Sequence, residues 1–441
     1  MTKLPLTLIE RYLLDEDRRA YPCWILIRYR FKGVFQRAAL QSAWERTVQR
    51  HPLLRAVVSR DWLGRLVWEQ AHNYEPRVEW RQESQESGWP HFSAMDLRNA
   101  PGSRLFAIER EGITDLFTQD HHSLHDGAGC FAIASDLLAF YARELGAEAK
   151  VAEVEPGRFR HRNQFGLTLM DKIRLLPMQA AGLAISLQLH FRKVAPLQPG
   201  PTMPDEGDQP AILPALVSRR LSATEFDRYR SAAKRLEAGL QDLLIRDVQA
   251  ALGQWLAVHG RADPMDWVRL TVPVNLRRPA DLTLPAANLL GLVIIDRRKK
   301  SLANRERLLR RSREDMGFIR RYRLGYVFLV MLALCRLVPG GIRRYARKPG
   351  CRTTFVFTNV GRAMSGSSLY GADGKVAVPG AVLEDISLAA PVSPGTSAGL
   401  AVIAYANGLA ADLSYDSRVL SELQANDLVQ AFVDQVRLTS T

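Results

Sequence analysis

Three histidines and an aspartate stand close together in the run His121-His122-Ser123-Leu124-His125-Asp126-Gly127. An imidazole titrates near neutral pH, so it can take a proton from an attacking alcohol or amine and return it to a leaving thiolate. The aspartate can turn back to fix the loop by a salt bridge, and the glycine lets the backbone bend or a substrate approach closely. The run therefore predicts acyl transfer from a thioester by direct attack, without a serine or cysteine nucleophile.

This run has two other interpretations, a metal site and a solvated loop. The His-His-x-x-His-Asp order on a loop does not match the i, i+4 helical spacing of the H-E-x-x-H metalloenzymes, so we predict no metal. The strand-like and apolar segments on either side disfavour a merely solvated loop. The cysteines are scattered without C-x-x-C spacing, which predicts reduced thiols and neither disulfides nor zinc; their positions are Cys23, Cys130, Cys335 and Cys351.

The elements around the run must present it to a substrate. An apolar strand pattern over Thr114–Gln119 leads into it, and helical spacing over 128–145 follows it. A junction of strand, loop and helix places reactive side chains on rigid supports.

Similar patterns recur along the whole chain. Further strands are predicted at Cys23–Lys32, Leu53–Val58, Leu66–Glu69, Leu105–Glu109, Val268–Val274, Leu289–Asp296, Phe355–Asn359, Leu383–Ala389, Ala398–Ala406 and Ala410–Tyr415. Further helices are predicted at 7–18, 36–50, 165–193, 222–258 (a pair), Arg305–Arg321, Leu324–Cys335 and 420–437. Mixed helices and strands in both halves predict an α/β (α+β sandwich) fold.

The length of 441 residues favours two domains or subdomains. Six prolines and two glycines between Pro196 and Pro214 cannot continue a helix and indicate an extended crossover. We therefore predict an N-terminal subdomain over 1–195, a linker over 196–216 and a C-terminal subdomain over 217–441.

The positive charge is concentrated in one segment. Between Arg297 and Arg352 lie 18 lysines and arginines and three acidic residues, a net charge of +15, whereas the whole chain carries +14. Such a field attracts an anion, either the phosphates of a CoA or phosphopantetheine donor or an anionic membrane surface. No nucleic-acid-binding signature accompanies the charge, so nucleic acid is not predicted. A solvated basic face without a partner is the remaining interpretation.

Within this segment, Leu324–Cys335 is a run of 12 uncharged residues. A bilayer span needs about 20, so we predict either a buried core helix or an element at a membrane surface. The N-terminus meets charge at Glu10 and Arg11 before any signal-peptide apolar stretch. The sequence therefore predicts a cytoplasmic protein, peripheral at the membrane if the second interpretation holds.

The histidine run resembles a known signature. His121-His122-x-x-x-Asp126-Gly127 matches the HHxxxDG motif of the superfamily of condensation domains and chloramphenicol-acetyltransferase-like enzymes. That superfamily includes polyketide-associated acyltransferases, alcohol acetyltransferases and wax ester synthases. The resemblance implies that His122 is the catalytic base and that Asp126 is structural, paired with an arginine from elsewhere in the fold.

Other segments resemble the same superfamily in the expected order. Ala39–Arg55 is similar to its N-terminal helix and strand entry, and Pro273–Arg278 to its "PVDLR" strand, which makes Arg277 the candidate partner of Asp126, with Arg278 in reserve. The run 288–291 resembles its "N-x-x-G" element.

Thr358–Arg362 looks like the "SNxG" strand end near the acceptor pocket, so Thr358 and Asn359 are candidates for stabilising an oxyanion. The Asn-Val-Pro-Gly-Pro run of wax ester synthases is absent, because Gly361-Arg362 follows directly.

The resemblance implies two similar subdomains that meet in a V, with the base in a tunnel between them. The implied reaction moves an acyl group from acyl-CoA or an acyl carrier protein to a small-molecule or lipid hydroxyl or amine. The thioester is a co-substrate, and no bound cofactor is implied. The alternative is a catalytically silent, condensation-like binding module.

Overall fold

The computed structural model describes residues 3–81, 89, 92–165, 167–198, 214–260 and 263–441. The helices in these parts are α1 Leu8–Glu16, α2 Arg37–Arg50, α3 Gly127–Glu144, α4 Leu169–His190, α5 Ala223–Arg235, α6 Leu240–Val258, α7 Arg305–Tyr322, α8 Val327–Arg336, α9 Gly341–Ala346 and α10 Glu422–Ser440. The predicted linker lies mostly at 199–213, outside the described residues, and the subdomain boundaries remain a prediction.

The strands are β1 Leu4–Pro5, β2 Trp24–Gly33, β3 Ala56–Arg60, β4 Leu66–Gln70, β5 Val78–Arg81, β6 Ser103–Arg110, β7 Ile113–His121, β8 Ala215–Leu221, β9 Trp267–Asn275, β10 Leu290–Arg298, β11 Phe355–Arg362, β12 Ala377–Val378, β13 Ala381–Ala389, β14 Ala398–Tyr405 and β15 Gly408–Tyr415. They form two six-stranded sheets, with orders β12-β13-β2-β7-β6-β5 and β10-β9-β11-β14-β15-β8, and one three-stranded sheet, β1-β4-β3. The predicted mixed α/β fold is confirmed.

Each large sheet packs against helices of its own half. In the N-terminal half, Trp44 of α2 and Tyr141 of α3 are fully buried with Phe31 of β2. In the C-terminal half, Phe432 of α10 is buried with Phe357 of β11. Burying one such side chain contributes about 1.5–3 kcal/mol relative to exposure, so these two cores stabilise the halves between which the site lies.

Two strands from late in the chain, β12 and β13, belong to the sheet of the N-terminal half. β13 comes late in the chain but pairs antiparallel with β2, with Ile386 opposite Tyr29. It is tied back to the C-terminal sheet, since Leu388 N donates to Asp412 Oδ2 at 2.8 Å and Arg220 forms ion pairs with both Asp385 and Asp412. The two sheets are therefore joined by β13, which the later part of the chain contributes to the N-terminal sheet, and by the ion pairs of Arg220.

The predicted strand Leu53–Val58 is wrong at its start. Pro52–Arg55 forms a 3-10 helix, and β3 begins at Ala56. Proline fixes a φ that suits a first helical position and carries no N–H for a strand ladder.

The apolar run Leu324–Cys335 forms a short 3-10 turn followed by α8. Val327, Phe328, Leu329 and Leu332 are buried in the core, as the first of the two interpretations of this run predicts. No helix within the described ranges is both long and apolar enough to cross a bilayer.

Candidate active site

The histidine run lies where β7 ends and α3 begins. β7 sits between β2 and β6 and is buried from Thr114 to His121. A tight turn follows, in which Leu124 N donates to His121 O at 2.9 Å. Asp126 then caps α3 by accepting from Gly129 N at 3.0 Å, as short polar side chains at helix N-termini do. Hydrogen bonds thereby hold the loop at both of its ends.

His122 presents one free ring nitrogen. Its Nδ1 lies 3.1 Å from the carbonyl oxygen of His125, and a carbonyl accepts only, so Nδ1 carries the proton. Its Nε2 is then the unprotonated nitrogen, and the side chain lines the central cavity. Burial lowers the pKa of His122 below its usual 6.5, so the imidazole is neutral at pH 7 and ready to accept a proton.

His121 is held differently. Its Nδ1 accepts from the backbone N–H of Ser123 at 3.1 Å and lies 2.8 Å from the Ser123 hydroxyl. Its Nε2 lies 3.7 Å from Asp17 Oδ1, and its side chain is buried and does not line the cavity. The first histidine therefore shapes the turn that presents the second.

Both carboxylate oxygens of Asp126 accept several hydrogen bonds. Arg277 donates from Nη1 to Oδ2 at 2.7 Å and from Nη2 to Oδ1 at 2.9 Å, and Leu289 N donates to Oδ2 at 2.9 Å. With the capping bond from Gly129, each oxygen accepts twice. Burial alone would raise the pKa of Asp126, but the Arg277 guanidinium and these hydrogen bonds lower it below 3.8. A carboxylate so engaged is poorly suited to proton transfer.

The structure distinguishes the two candidate arginines. Arg277 pairs with Asp126 and also donates to the carbonyl oxygen of Ala287 at 2.8 Å. Arg278 pairs instead with Asp171 of α4, at 3.0 Å. The reserve arginine therefore holds a helix at the cavity wall, not the histidine loop.

One residue without a predicted role also holds the loop, and a second links the segment at Ala286 to α3. Asn288 Nδ2 donates to the carbonyl oxygen of His122 at 2.8 Å. His51 Nδ1 accepts from Ala286 N at 3.0 Å, and its Nε2 lies 3.1 Å from Asp136 of α3. The sequence resemblance covered Asn288, but nothing in its spacing indicated which atom it would contact.

Thr358 and Asn359 lie on β11 and line the cavity. Asn359 Nδ2 donates to Gln241 at 2.7 Å, and its Oδ1 accepts from Gly361 N at 3.0 Å at a bulge in the strand. The Thr358 hydroxyl has no hydrogen-bond partner in the part of the chain that the structure describes. Of the two oxyanion candidates, Thr358 is the less committed.

Gly127 lies at the cavity wall. Its φ is not in the left-handed region, so the expected backbone bend does not occur there. A Cβ at this position would lie 3.6 Å from Val360 Cγ1, at the cavity wall. This separation is an ordinary van der Waals contact, so the space at Gly127 would admit a methyl group.

One group of buried side chains in the described ranges has the composition of a metal site. It consists of Asp120, His125 and Cys130. The Cys130 sulfur lies 3.4 Å from His125 Nδ1, whereas Asp120 lies 3.6 Å from Nε2. The separation from Asp120 exceeds a hydrogen-bond length, so among these three side chains only Cys130 and His125 are joined by a hydrogen bond.

The cavity has a volume of about 700 Å³ and is lined mainly by apolar side chains of both halves. It is large enough for a drug-sized ligand. A polar patch interrupts the lining where Arg352 pairs with Glu16 and donates to the Tyr12 hydroxyl. The site therefore provides one neutral base in a largely apolar chamber.

The chain is similar to known proteins in part of its sequence and in its fold. No known protein-family profile matches the chain. Chondramide synthase of Chondromyces crocatus is 30% identical over 146 residues, a match that covers 29% of this chain and 4% of that protein. The chain thus spans a small fraction of the curated relative that it matches.

Solved structures resemble the whole chain. The first condensation domain of the CDA synthetase superposes with a TM-score of 0.68 at 15% identity, covering 100% of this chain and 96% of that one. Trichothecene 15-O-acetyltransferase from Fusarium sporotrichioides gives 0.68 at 13% identity, covering 98% and 93%. The chain has the fold of condensation domains and chloramphenicol-acetyltransferase-like enzymes, as the HHxxxDG run predicted.

Proposed function

We propose that the protein transfers an acyl group from a thioester to a hydroxyl or amine, with His122 as the general base. The observation that carries this proposal is the hydrogen bond from His122 Nδ1 to the His125 carbonyl oxygen, which leaves a neutral Nε2 free beside a cavity lined by both halves. The fold agrees, since its solved relatives include a condensation domain and an O-acetyltransferase.

The proposed reaction has two steps. Nε2 takes the proton from the acceptor O–H or N–H as the acceptor atom bonds to the thioester carbonyl carbon. The tetrahedral intermediate then breaks its C–S bond, and the imidazolium returns the proton to sulfur. The products are an ester or amide and a free thiol, and His122 ends in its starting state.

Charge on the carbonyl oxygen must be stabilised during the reaction. We assign this role to the Thr358 hydroxyl, with the second N–H of the Asn359 amide as a further donor, because both residues line the cavity. One such donor contributes about 3 kcal/mol to transition-state stabilisation in comparable enzymes.

The donor is proposed to be acyl-CoA or an acyl phosphopantetheine arm on a carrier protein. α7 supports this choice, since it carries seven arginines and also contributes Asp315, Phe318 and Ile319 to the cavity wall. Phosphates of a donor whose arm lies in the cavity would meet cationic side chains beside the same helix. The acceptor is a small molecule or a lipid.

The test is a transfer assay with the purified chain, a set of acyl-CoA and acyl-carrier donors, and a set of alcohols and amines. Mass spectrometry of the product and thiol release are the readouts. We expect a product with the wild type that is lost in His122→Ala and kept in His161→Ala, an exposed histidine. Donor binding without transfer by any pair would favour the silent binding module.

A further inference from the structure

α4 is an apolar helix that is mostly exposed. It has 22 residues, and from Leu175 to Leu189 it carries no charged side chain. Within it, Gln179 and Gly182 are buried, whereas Leu169 is 74% and Leu176 63% exposed. Monomeric soluble proteins rarely expose a large contiguous apolar surface to water, so we expect a partner to cover this helix.

Seven of the exposed side chains lie in one line along the helix. Successive members are three or four residues apart, and at 100° per residue such positions fall on the same helix face. The line, which we call the α4 stripe, comprises Leu169, Ile173, Leu176, Ala180, Ala184, Leu187 and Phe191. All seven are exposed, and Phe191 is 87% so. The stripe is about 33 Å long at 1.5 Å per residue.

The opposite face of α4 is already occupied. Gln179 Nε2 donates to the carbonyl oxygens of Tyr322 and Arg323, both at 3.2 Å. Gly182 packs so closely on Val327 that a Cβ would lie 2.6 Å from its Cγ2. The stripe is therefore the outward face of a helix fixed to the body of the protein.

Cations surround the stripe. Lys172 and Arg174 flank it on either side by helical position, Lys193 follows its end, and Arg323 adjoins the opposite face of the helix through Gln179. All four are exposed, and none forms an ion pair with a residue that the structure describes. The one acidic residue of α4, Asp171, is paired with Arg278. The charge around this apolar face is thus positive.

A second exposed apolar segment lies near the end of α4. Leu334, Leu337 and Val338 are exposed at the end of α8 and in the turn after it. That turn leads into α9, whose Tyr345 ring stacks on His190 of α4 at 6.1 Å between centroids.

We propose that the α4 stripe docks on the surface of a bilayer that contains anionic phospholipids. A helix whose apolar line is bordered by lysine and arginine has the character of an interfacial helix, which inserts its apolar side chains shallowly while its cations meet lipid phosphates. A second copy of the chain is a poorer occupant, because it would bring the same unpaired cations face to face.

The inner face of the same helix lines the cavity, through Gly182, Ile185 and Leu189. A lipid acceptor would therefore reach His122 from the docked surface. This consequence rests on the proposed function, whereas the docking itself does not.

The test is vesicle flotation of the full chain with phosphatidylcholine alone and with added phosphatidylglycerol, at about 0.1 M and 0.5 M salt. We expect flotation with the anionic vesicles that weakens at high salt. Ile173→Ser/Leu176→Ser/Leu187→Ser should reduce it at least about tenfold. The matched triple Val258→Ser/Leu423→Ser/Leu438→Ser, also at exposed positions on helices, should float like the wild type.

The variant Lys172→Glu/Arg174→Glu should lose most of the salt-sensitive part of the flotation with anionic vesicles. His122→Ala should float normally, which separates docking from catalysis. Equal flotation of the α4 triple and the wild type would overturn the proposal. So would a wild type that does not float but forms a dimer that the α4 triple dissociates, since the stripe would then be covered by a second copy.

Discussion

Arg277 and Asp126 form a two-point ion pair, with Nη1 to Oδ2 at 2.7 Å and Nη2 to Oδ1 at 2.9 Å. Asp126 is the N-cap of α3 in the N-terminal half, whereas Arg277 follows β9 in the C-terminal half. The pair therefore fastens the histidine loop across the two halves. We therefore expect the aspartate of the HHxxxDG run to act through loop geometry.

Asp126→Asn should destabilise the protein by about 3–5 kcal/mol, because the largely buried Arg277 guanidinium would lose its charged partner. Chemical denaturation measures this loss. The double variant Asp126→Asn/Arg277→Gln should lose clearly less than the sum of the single changes, and simple additivity would contradict the coupling. Since the pKa of Asp126 lies below 3.8, the contribution of the pair should be present above about pH 4 and fade as the pH falls further.

The pH dependence of kcat/KM should report the His122 imidazole. Because burial lowers its pKa, the rate should be constant at pH 7 and above and should fall at acidic pH with a midpoint below 6.5. The fall occurs because protonated Nε2 cannot accept the acceptor's proton. Initial rates at saturating donor from about pH 5 to 8 measure the midpoint. A midpoint above 6.5, with the fold intact at each pH, would contradict the assignment.

Asn288→Ala should lower kcat about tenfold, since the His122 carbonyl would lose its donor and the loop its fixed geometry. KM should change little, because Asn288 does not line the cavity. Rates should be expressed per folded protein from active-site-independent measurements such as circular dichroism. An unchanged kcat would show that Asn288 only stabilises the fold. Asn304→Ala, at the N-cap of α7 and outside the cavity lining, is the control.

Cys23→Ala should keep most of the activity, although Cys23 lines the cavity. Burial raises the pKa of its thiol well above the usual value, so very little nucleophilic thiolate is present at neutral pH. Intact-protein mass spectrometry after mixing with donor should show no added acyl group. An acyl adduct on Cys23, together with loss of transfer in the variant, would replace direct attack by a covalent mechanism.

Local sequence patterns predicted most elements correctly. The strand leading into the histidine run and the helix after it lie where alternation and helical spacing placed them, with β7 ending at His121 and α3 beginning at Gly127. The failure at Leu53–Val58 is also local, since Pro52 imposes a 3-10 turn before the strand begins.

The remaining features depend on tertiary contacts. Nothing in the sequence of β13 shows that it pairs with β2, a partner more than 350 residues away. The donation from Asn288 to His122 depends on how two distant loops meet. The exposure of the α4 stripe could not be predicted either, because an apolar segment gives the same pattern whether a core or a membrane covers it.

The most direct test of the central claim is the single-turnover rate of acyl transfer by His122→Ala, compared with the wild type and with His161→Ala at the same donor and acceptor concentrations. We predict a fall of about 10²–10⁴-fold for His122→Ala, the contribution typical of a positioned base, and an unchanged rate for His161→Ala. A His122→Ala protein that is folded and transfers at the wild-type rate would contradict the account.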